Sequence, residues 1–209
     1  MSRLTKIHIP YYSFYGHIHK LAKALKTGAE KVPGVQATLF QIPETVPKEI
    51  LERIKAPAKP ADVSVITAEN LKEADGFLFG MPTRFGTLPA QQKNFWDQLG
   101  GLWASNALHG KFAGTFVASN TQHGGQESTH LTFIPTLVHF GMIYVPLGYA
   151  SKHLNEELEV IGGSPYGASA VVGNSGKVEV HPKELEIAEI QGENFAKVVS
   201  QYVNGAKSN

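Results

Sequence analysis

The sequence predicts a doubly wound α/β fold: a five-stranded parallel sheet in the order 2-1-3-4-5 with helices on both faces. Five apolar, β-rich runs, at residues 4–12, 35–42, 76–81, 112–119 and 142–147, are each too short for a helix and are bounded by Gly, Pro or polar residues. Segments with helical spacing of apolar residues separate them. Strict alternation of strand and helix gives right-handed βαβ units, hence a parallel sheet covered on both sides, and five strands fit the order given.

The elements follow in order. Run 4–12 is strand one; Pro10 lies inside it, and because proline cannot donate to a ladder its nitrogen is expected at the frayed end of the strand. Ile18, Leu21, Ala22, Leu25, Ala29 and Val32 recur at i, i+3, i+4 and i+7, which makes the first helix amphipathic. Strand two, 35–42, leads into residues 43–61, where Pro43, Pro47, Pro57 and Pro60 frame a short helix at 48–54. Weaker helical patterns cover 68–74, 89–99 and 128–140, between strands three, four and five. Residues 148–181 form a second long connection that includes Gly162-Gly163-Ser164-Pro165-Tyr166-Gly167-Ala168. A last helix at 182–203 has Pro182 in its first turn and Gly205 after its end. Residues 1–209 thus read as one domain with insertions at about 43–61 and 148–181, and connections this long usually carry function or interfaces.

Composition narrows the function. The chain has 209 residues, 42% hydrophobic and 18% charged, with 19 Lys and Arg against 18 Asp and Glu for a net charge of +1. That balance leaves no electrostatic footprint for nucleic acid. Without cysteine there is no thiolate nucleophile or metal ligand, so redox chemistry must come from a cofactor. No run reaches the roughly 18 apolar residues of a membrane span and the first ten residues lack a signal-peptide layout, so a cytoplasmic protein is expected, with association at a membrane surface left open. Residues 205–209 read as a frayed tail.

In such a sheet, ligands bind beyond the carboxyl ends of the strands at the switch in strand order. Three turns fall there: Ser13-Phe14-Tyr15-Gly16-His17-Ile18 after strand one, Pro82-Thr83-Arg84-Phe85-Gly86 after strand three, and Ser119-Asn120-Thr121-Gln122-His123-Gly124-Gly125 after strand four. All are free of carboxylates. The first helix starts without an acidic residue, and its orphan N–H groups and partial positive charge suit a phosphate, with Gly16 allowing close approach. Ser13 as a simple helix cap is the alternative. A dinucleotide fold would show G-x-G-x-x-G here, and only Gly16 is present, which favours a mononucleotide.

The runs Tyr-Tyr-Ser-Phe-Tyr-Gly-His-Ile (11–18), Pro-Thr-Arg-Phe-Gly (82–86), Gly-Gly-Leu-Trp-Ala-Ser (100–105), Gly-Gly-Gln-Glu (124–127), His-Phe-Gly-Met (139–142) and Gly-Gly-Ser-Pro-Tyr-Gly-Ala (162–168) together resemble the WrbA family of flavodoxin-like NAD(P)H:quinone oxidoreductases, in order and over nearly the whole chain. The resemblance implies FMN as cofactor, NADH or NADPH as co-substrate, a small-molecule quinone as acceptor, a ping-pong two-electron reaction and a homotetramer. It assigns Ser13 to Ile18 to the FMN phosphate, Pro82, Thr83, Arg84 and Phe85 to the flavin border, and Ser119, Asn120, Thr121, Gln122, His123 and Gly124 to its other edge. His139 would stand beside the flavin. Tyr15 and Trp103 would shape the nicotinamide and quinone pocket, with Trp103 reaching in from a neighbouring subunit.

This chain departs from the family at two places: Asn120 stands where a glycine is usual, and His123 adds bulk among small glycines. Asn tolerates a left-handed backbone, but His123 is expected to narrow the pocket or weaken FMN binding. The alternative function is therefore a non-catalytic oligomeric scaffold. A metal site is not expected, because His17 and His19 do not share a helix face and Glu127 with His130 has no further partner.

Overall fold

The computed structural model describes residues 3–156, 159–173 and 179–205; the tail after Gly205 lies outside them. The elements are β1 (Thr5–Tyr11), α1 (His17–Glu30), β2 (Val35–Gln41), α2 (Lys48–Arg53), α3 (Ala68–Glu73), β3 (Gly76–Pro82), α4 (Ala90–Asp97), α5 (Gly100–Ala104), β4 (Phe112–Ser119), α6 (Gln126–His139), β5 (Ile143–Tyr144), β6 (Ser169–Val171) and α7 (Pro182–Gly205). The strands run parallel in the order β2-β1-β3-β4-β5, with β6 also on β4.

Alternation along the central strands fills two cores. Ile7, Ile9, Tyr11, Leu78 and Phe116 face α1 and α7, whereas Phe77, Phe79, Met81 and Val117 face the side of α3, α4, α5 and α6. Helices α1 and α7 touch backbone to backbone: a Cβ on Gly28 or Gly192 would run into the main chain of Glu189 or Leu25. Small residues at both crossing points make that approach possible.

Two expectations need correction. The fifth lane is not one strand over 142–147 but two short ones. β5 pairs with Phe112 and Ala113, and β6 with Val117, Ala118 and Ser119, on the same edge of β4. Val145 still donates to the Ala113 carbonyl, but Pro146 has no N–H and Gly148 turns the chain at φ 61°, so the ladder stops and resumes only after residues 148–168. Pro10, in turn, is not at a frayed end: it sits opposite Phe40 of β2. The cost falls on the other side, where Ile7, His8 and Tyr11 have partners on β3 and Ile9 and Pro10 have none. Tyr12 closes the gap by donating to the Gly80 carbonyl at 3.0 Å.

The histidine next to the sheet is a packing residue. His130 is fully buried, its Nδ1 lies 2.6 Å from Thr115 Oγ1, and Thr115 is also 3.0 Å from the Tyr144 hydroxyl, which donates to the Tyr166 carbonyl. Burial pushes its pKa down to about 3, so this imidazole is neutral at any ordinary pH.

Candidate functional site

The three turns meet at the carboxyl ends of β1, β3 and β4, around a cavity of about 560 Å³. Ser13, Phe14, Tyr15, His17 and Ile18 form one wall, Pro82, Thr83 and Arg84 a second, and Ala118, Ser119 and Asn120 a third. Among the described residues its basic groups are Arg84 and His17, and no carboxylate lines it.

The first wall owes its shape to Gly16, whose φ of 90° starts α1 in a left-handed conformation that L side chains avoid. Ser13 Oγ accepts from the Gly16 N–H at 3.1 Å, so the serine braces the turn rather than the helix. The N-cap, Gly16, has no side chain to cap α1, and no acid stands in its first turn. His17 and Ile18 of that turn line the cavity, which sets a helix start, favourable to anions, against it.

The second wall is a tight turn. Arg84 and Thr87 exchange both backbone hydrogen bonds, at 2.8 and 3.1 Å, with Phe85 at φ 54° and Gly86 at φ 82° between them. Positive φ at both central positions is the mirror-image hairpin geometry, and a phenylalanine there carries strain of order 1–3 kcal/mol. Phe85 projects fully into solvent at the rim. Thr83 Oγ1 holds the turn, accepting from the Gly86 N–H at 3.2 Å and from the Thr129 hydroxyl of α6 at 2.8 Å.

The third wall is locked to the second. Gly125, at φ 104°, lies so close to the other turn that a Cβ would come within 2.6 Å of Thr83 Oγ1 and 3.2 Å of Gly86 Cα. Ser119 Oγ donates to the Thr121 carbonyl at 2.9 Å, and the Ser119 carbonyl accepts from the Val172 N–H at 2.9 Å. That last bond brings Val172 and Gly173 into the cavity wall.

Comparison with known proteins agrees with this geometry. Residues 15–156 match the model of the family described as NADPH-dependent FMN reductase. The chain is 50% identical over 204 residues to NAD(P)H quinone oxidoreductase YCP4 of Candida albicans, a match covering 97% of this chain and 70% of that protein. It is 48% identical over 197 residues to NAD(P)H quinone oxidoreductase PST2 of the same yeast, covering 94% and 97%. The chain belongs to the NADPH-dependent FMN reductase family. A solved structure of a flavodoxin, WrbA-like protein from Agrobacterium tumefaciens superposes with a TM-score of 0.65 at 24% identity, over 94% of this chain and 98% of that one; the two share a fold.

Not every residue singled out from the sequence of this FMN reductase family member lines the cavity. Gly16 shapes the first turn from behind, Phe85 stands at the rim, and Thr121 and Gly124 brace the third loop, where the Gly124 N–H donates to the Thr121 carbonyl at 3.2 Å. Gln122 and His123 line a second cavity, also about 560 Å³, beside the first turn of α6. His123, at φ 57°, is the left-handed non-glycine residue of this loop, and Asn120 is not. The expected bulk of His123 is therefore directed away from the first cavity.

Trp103 and His139 lie elsewhere. In this βαβ path, α6 starts at the carboxyl edge and ends at the opposite one, and its 14 residues span about 20 Å. His139 is its last residue and exposed, so within one chain it does not stand beside the cavity. Trp103, on α5, is 56% exposed at the same far edge. Conversely, Ile54, Ala118, Val172 and Gly173 line the cavity and were not singled out. Ala118 was legible as the residue before Ser119, whereas Ile54 and Val172 arrive on the two insertions and carry no motif.

Proposed function

We infer that this protein is an FMN-dependent NAD(P)H:quinone oxidoreductase, the activity named in its relatives at 45–50% identity over nearly the whole chain. The observation that carries the reading is the cavity at the start of α1, lined among the described residues by no carboxylate and by Ser13, His17 and Arg84.

The residues present fit FMN. A phosphate at the α1 terminus would meet the start of a helix whose N-cap, Gly16, has no side chain to offer it, and the Ser13 hydroxyl, which accepts from Gly16, keeps its hydrogen for an anion. The cavity volume is in the range of small-molecule sites. FMN held there would supply the hydride chemistry that links NADH or NADPH to a quinone. The chain's part is to bind, orient and screen. The Arg84 guanidinium, held by the Thr83 carbonyl at 2.9 Å, places a fixed positive charge on the second wall, where negative charge is best stabilised by preorganised donors. Tyr15, half exposed, and Phe85, fully exposed, offer aromatic faces at the rim for a flat substrate.

A tetramer built from dimers would complete the pocket with Trp103 of another copy. Trp103, Val138 and Ile143 are exposed apolar residues at the amino edge, which supports an interface there. The scaffold alternative drew on added bulk in the third loop. Of those two residues His123 lines the second cavity and Asn120 the first, so Asn120 alone adds bulk at the flavin site.

The test is direct. The purified protein should carry or take up FMN, seen as a flavin absorption spectrum, and should oxidise NADH with benzoquinone as acceptor. Colourless protein that takes up no added FMN would overturn the reading.

A further inference from the structure

The first insertion meets the phosphate turn at one carboxylate. Glu44 accepts from the Tyr12 hydroxyl at 3.0 and 3.1 Å, from the N–H groups of Thr45 and Val46 at 3.0 Å each, and pairs with Lys59 at 2.8 Å. Those donors occupy essentially every acceptor position a carboxylate has. Its side chain is only 19% exposed, which separates it from the solvated surface pairs that contribute little. Lys59 also sits over the Tyr12 ring, 4.4 Å from its centroid. Both limbs of the 43–61 segment, one through Glu44 and one through Lys59, thus close on a single tyrosine.

That tyrosine is the last residue before the turn. Its ring meets Phe14 edge-on at 6.3 Å, and Phe14 meets Tyr15 at 5.1 Å; Phe14 and Tyr15 both line the first cavity. The far end of the insertion is anchored separately, by Gln41 Nε2 donating to the carbonyls of Pro60 and Val63 at 2.7 Å. Inside the turn, the Ser13 to Gly16 bond is the main brace. The order of the turn therefore depends on what holds its first aromatic residue. Burial alone would raise the Glu44 pKa, but the Lys59 pair and the Val46 N–H outweigh it and hold it below the usual carboxylate range, so the hub stays ionised at neutral pH.

We propose that Glu44 is a positioning residue for the phosphate turn: through Tyr12 it staples the 43–61 segment to the end of β1 and fixes Phe14 and Tyr15 against the cavity. The proposal rests on the flavin reading above. It acts on the phosphate end of the ligand, and that end can be removed chemically, because riboflavin is FMN without the phosphate.

The experiment measures dissociation constants for FMN and for riboflavin, by quenching of flavin fluorescence, in the wild type, Glu44→Ala and Tyr12→Phe, with thermal melting followed in parallel. The expected result is an FMN affinity roughly tenfold weaker in both variants, the scale on which supporting groups act on a ligand, with riboflavin affinity changed less than about twofold. Tyr12→Phe loses only a hydroxyl and keeps its core packing, so it carries the test should Glu44→Ala melt near room temperature. An unchanged FMN-to-riboflavin ratio in both variants, including equal weakening of the two ligands, overturns the proposal. A ratio that falls in Glu44→Ala alone assigns the effect to Lys59 and overturns the route through Tyr12. Wild-type protein that takes up neither flavin overturns the parent reading along with this one.

Discussion

The two edges of the sheet differ in kind. At the carboxyl edge, three turns far apart in sequence enclose a cavity, the second turn held to α6 through Thr83 with Thr129 and the third held to the segment after β6 through Ser119 with Val172. At the amino edge, Trp103, Val138 and Ile143 stand exposed and His139 ends a helix. A list of family residues mixes the two edges, and the topology sorts them. Under the function proposed above, residues at the first edge would act within one chain, and residues at the second would reach a ligand only from another copy.

The sharpest way to break this contrast is to damage the carboxyl edge at its origin. Gly16 adopts φ 90° with open space around its missing Cβ, so Gly16→Val is resisted by backbone strain and not by a clash, which confines the damage to the turn. Combined with Ser13→Ala, it should weaken FMN binding by about 100-fold, the scale of one or two hydrogen bonds to a charged group, while the melting transition stays cooperative. Flavin titration checks this. Unaltered affinity would move the phosphate away from α1.

How much of this was legible in the sequence follows the same division. Helix periods and apolar runs located the strands because burial of alternate faces is a local pattern, and strand order followed from handedness. The carboxyl-edge turns were legible because the hydroxyl residues Ser13, Thr83 and Ser119 each stand at or just past the end of a strand. The split fifth lane was not, since only pairing reveals that Ser169 to Val171 return to β4. Nor was the position of His139: a short motif fixes a residue in the chain, and helix direction then fixes it in space. His123 shows the limit for side chains: nothing in the sequence gives it a left-handed backbone or places it at the second cavity.

A smaller effect tests the other edge. Trp103→Ala should lower turnover with benzoquinone roughly tenfold, the scale of one aromatic stacking contact, and leave FMN affinity within twofold of wild type. The same variant, run in sedimentation equilibrium, separates a lost pocket wall from a lost assembly. Turnover that is unchanged in an intact oligomer would remove Trp103 from the pocket and leave the amino edge as packing surface alone.

The smallest effect distinguishes the two insertions, which reach the cavity through different chemistry. The first is held by the ionised Glu44. The second is tied to α7 by His153, whose Nδ1 and Nε2 lie 2.5 and 2.7 Å from Glu156 and Glu186, with Lys183 bridging Glu156 and Glu159 and His181 3.2 Å from Glu159. The hydrogen bonds to Glu186 and then Glu156 raise the His153 pKa above its ordinary 6.5. A raised imidazole pKa means that the folded state holds this proton more tightly than the unfolded one. The stabilisation is complete below about pH 6.5 and disappears as pH climbs through the folded-state value. Because Glu186 is largely solvated, the pair is screened, and the melting temperature should fall by only about 2 °C between pH 6 and pH 9 from this source. His153→Gln should flatten that part of the profile. A slope that survives the substitution would assign it to other groups and show that the second insertion, unlike the first, is held by packing and backbone bonds such as Val172 to Ser119.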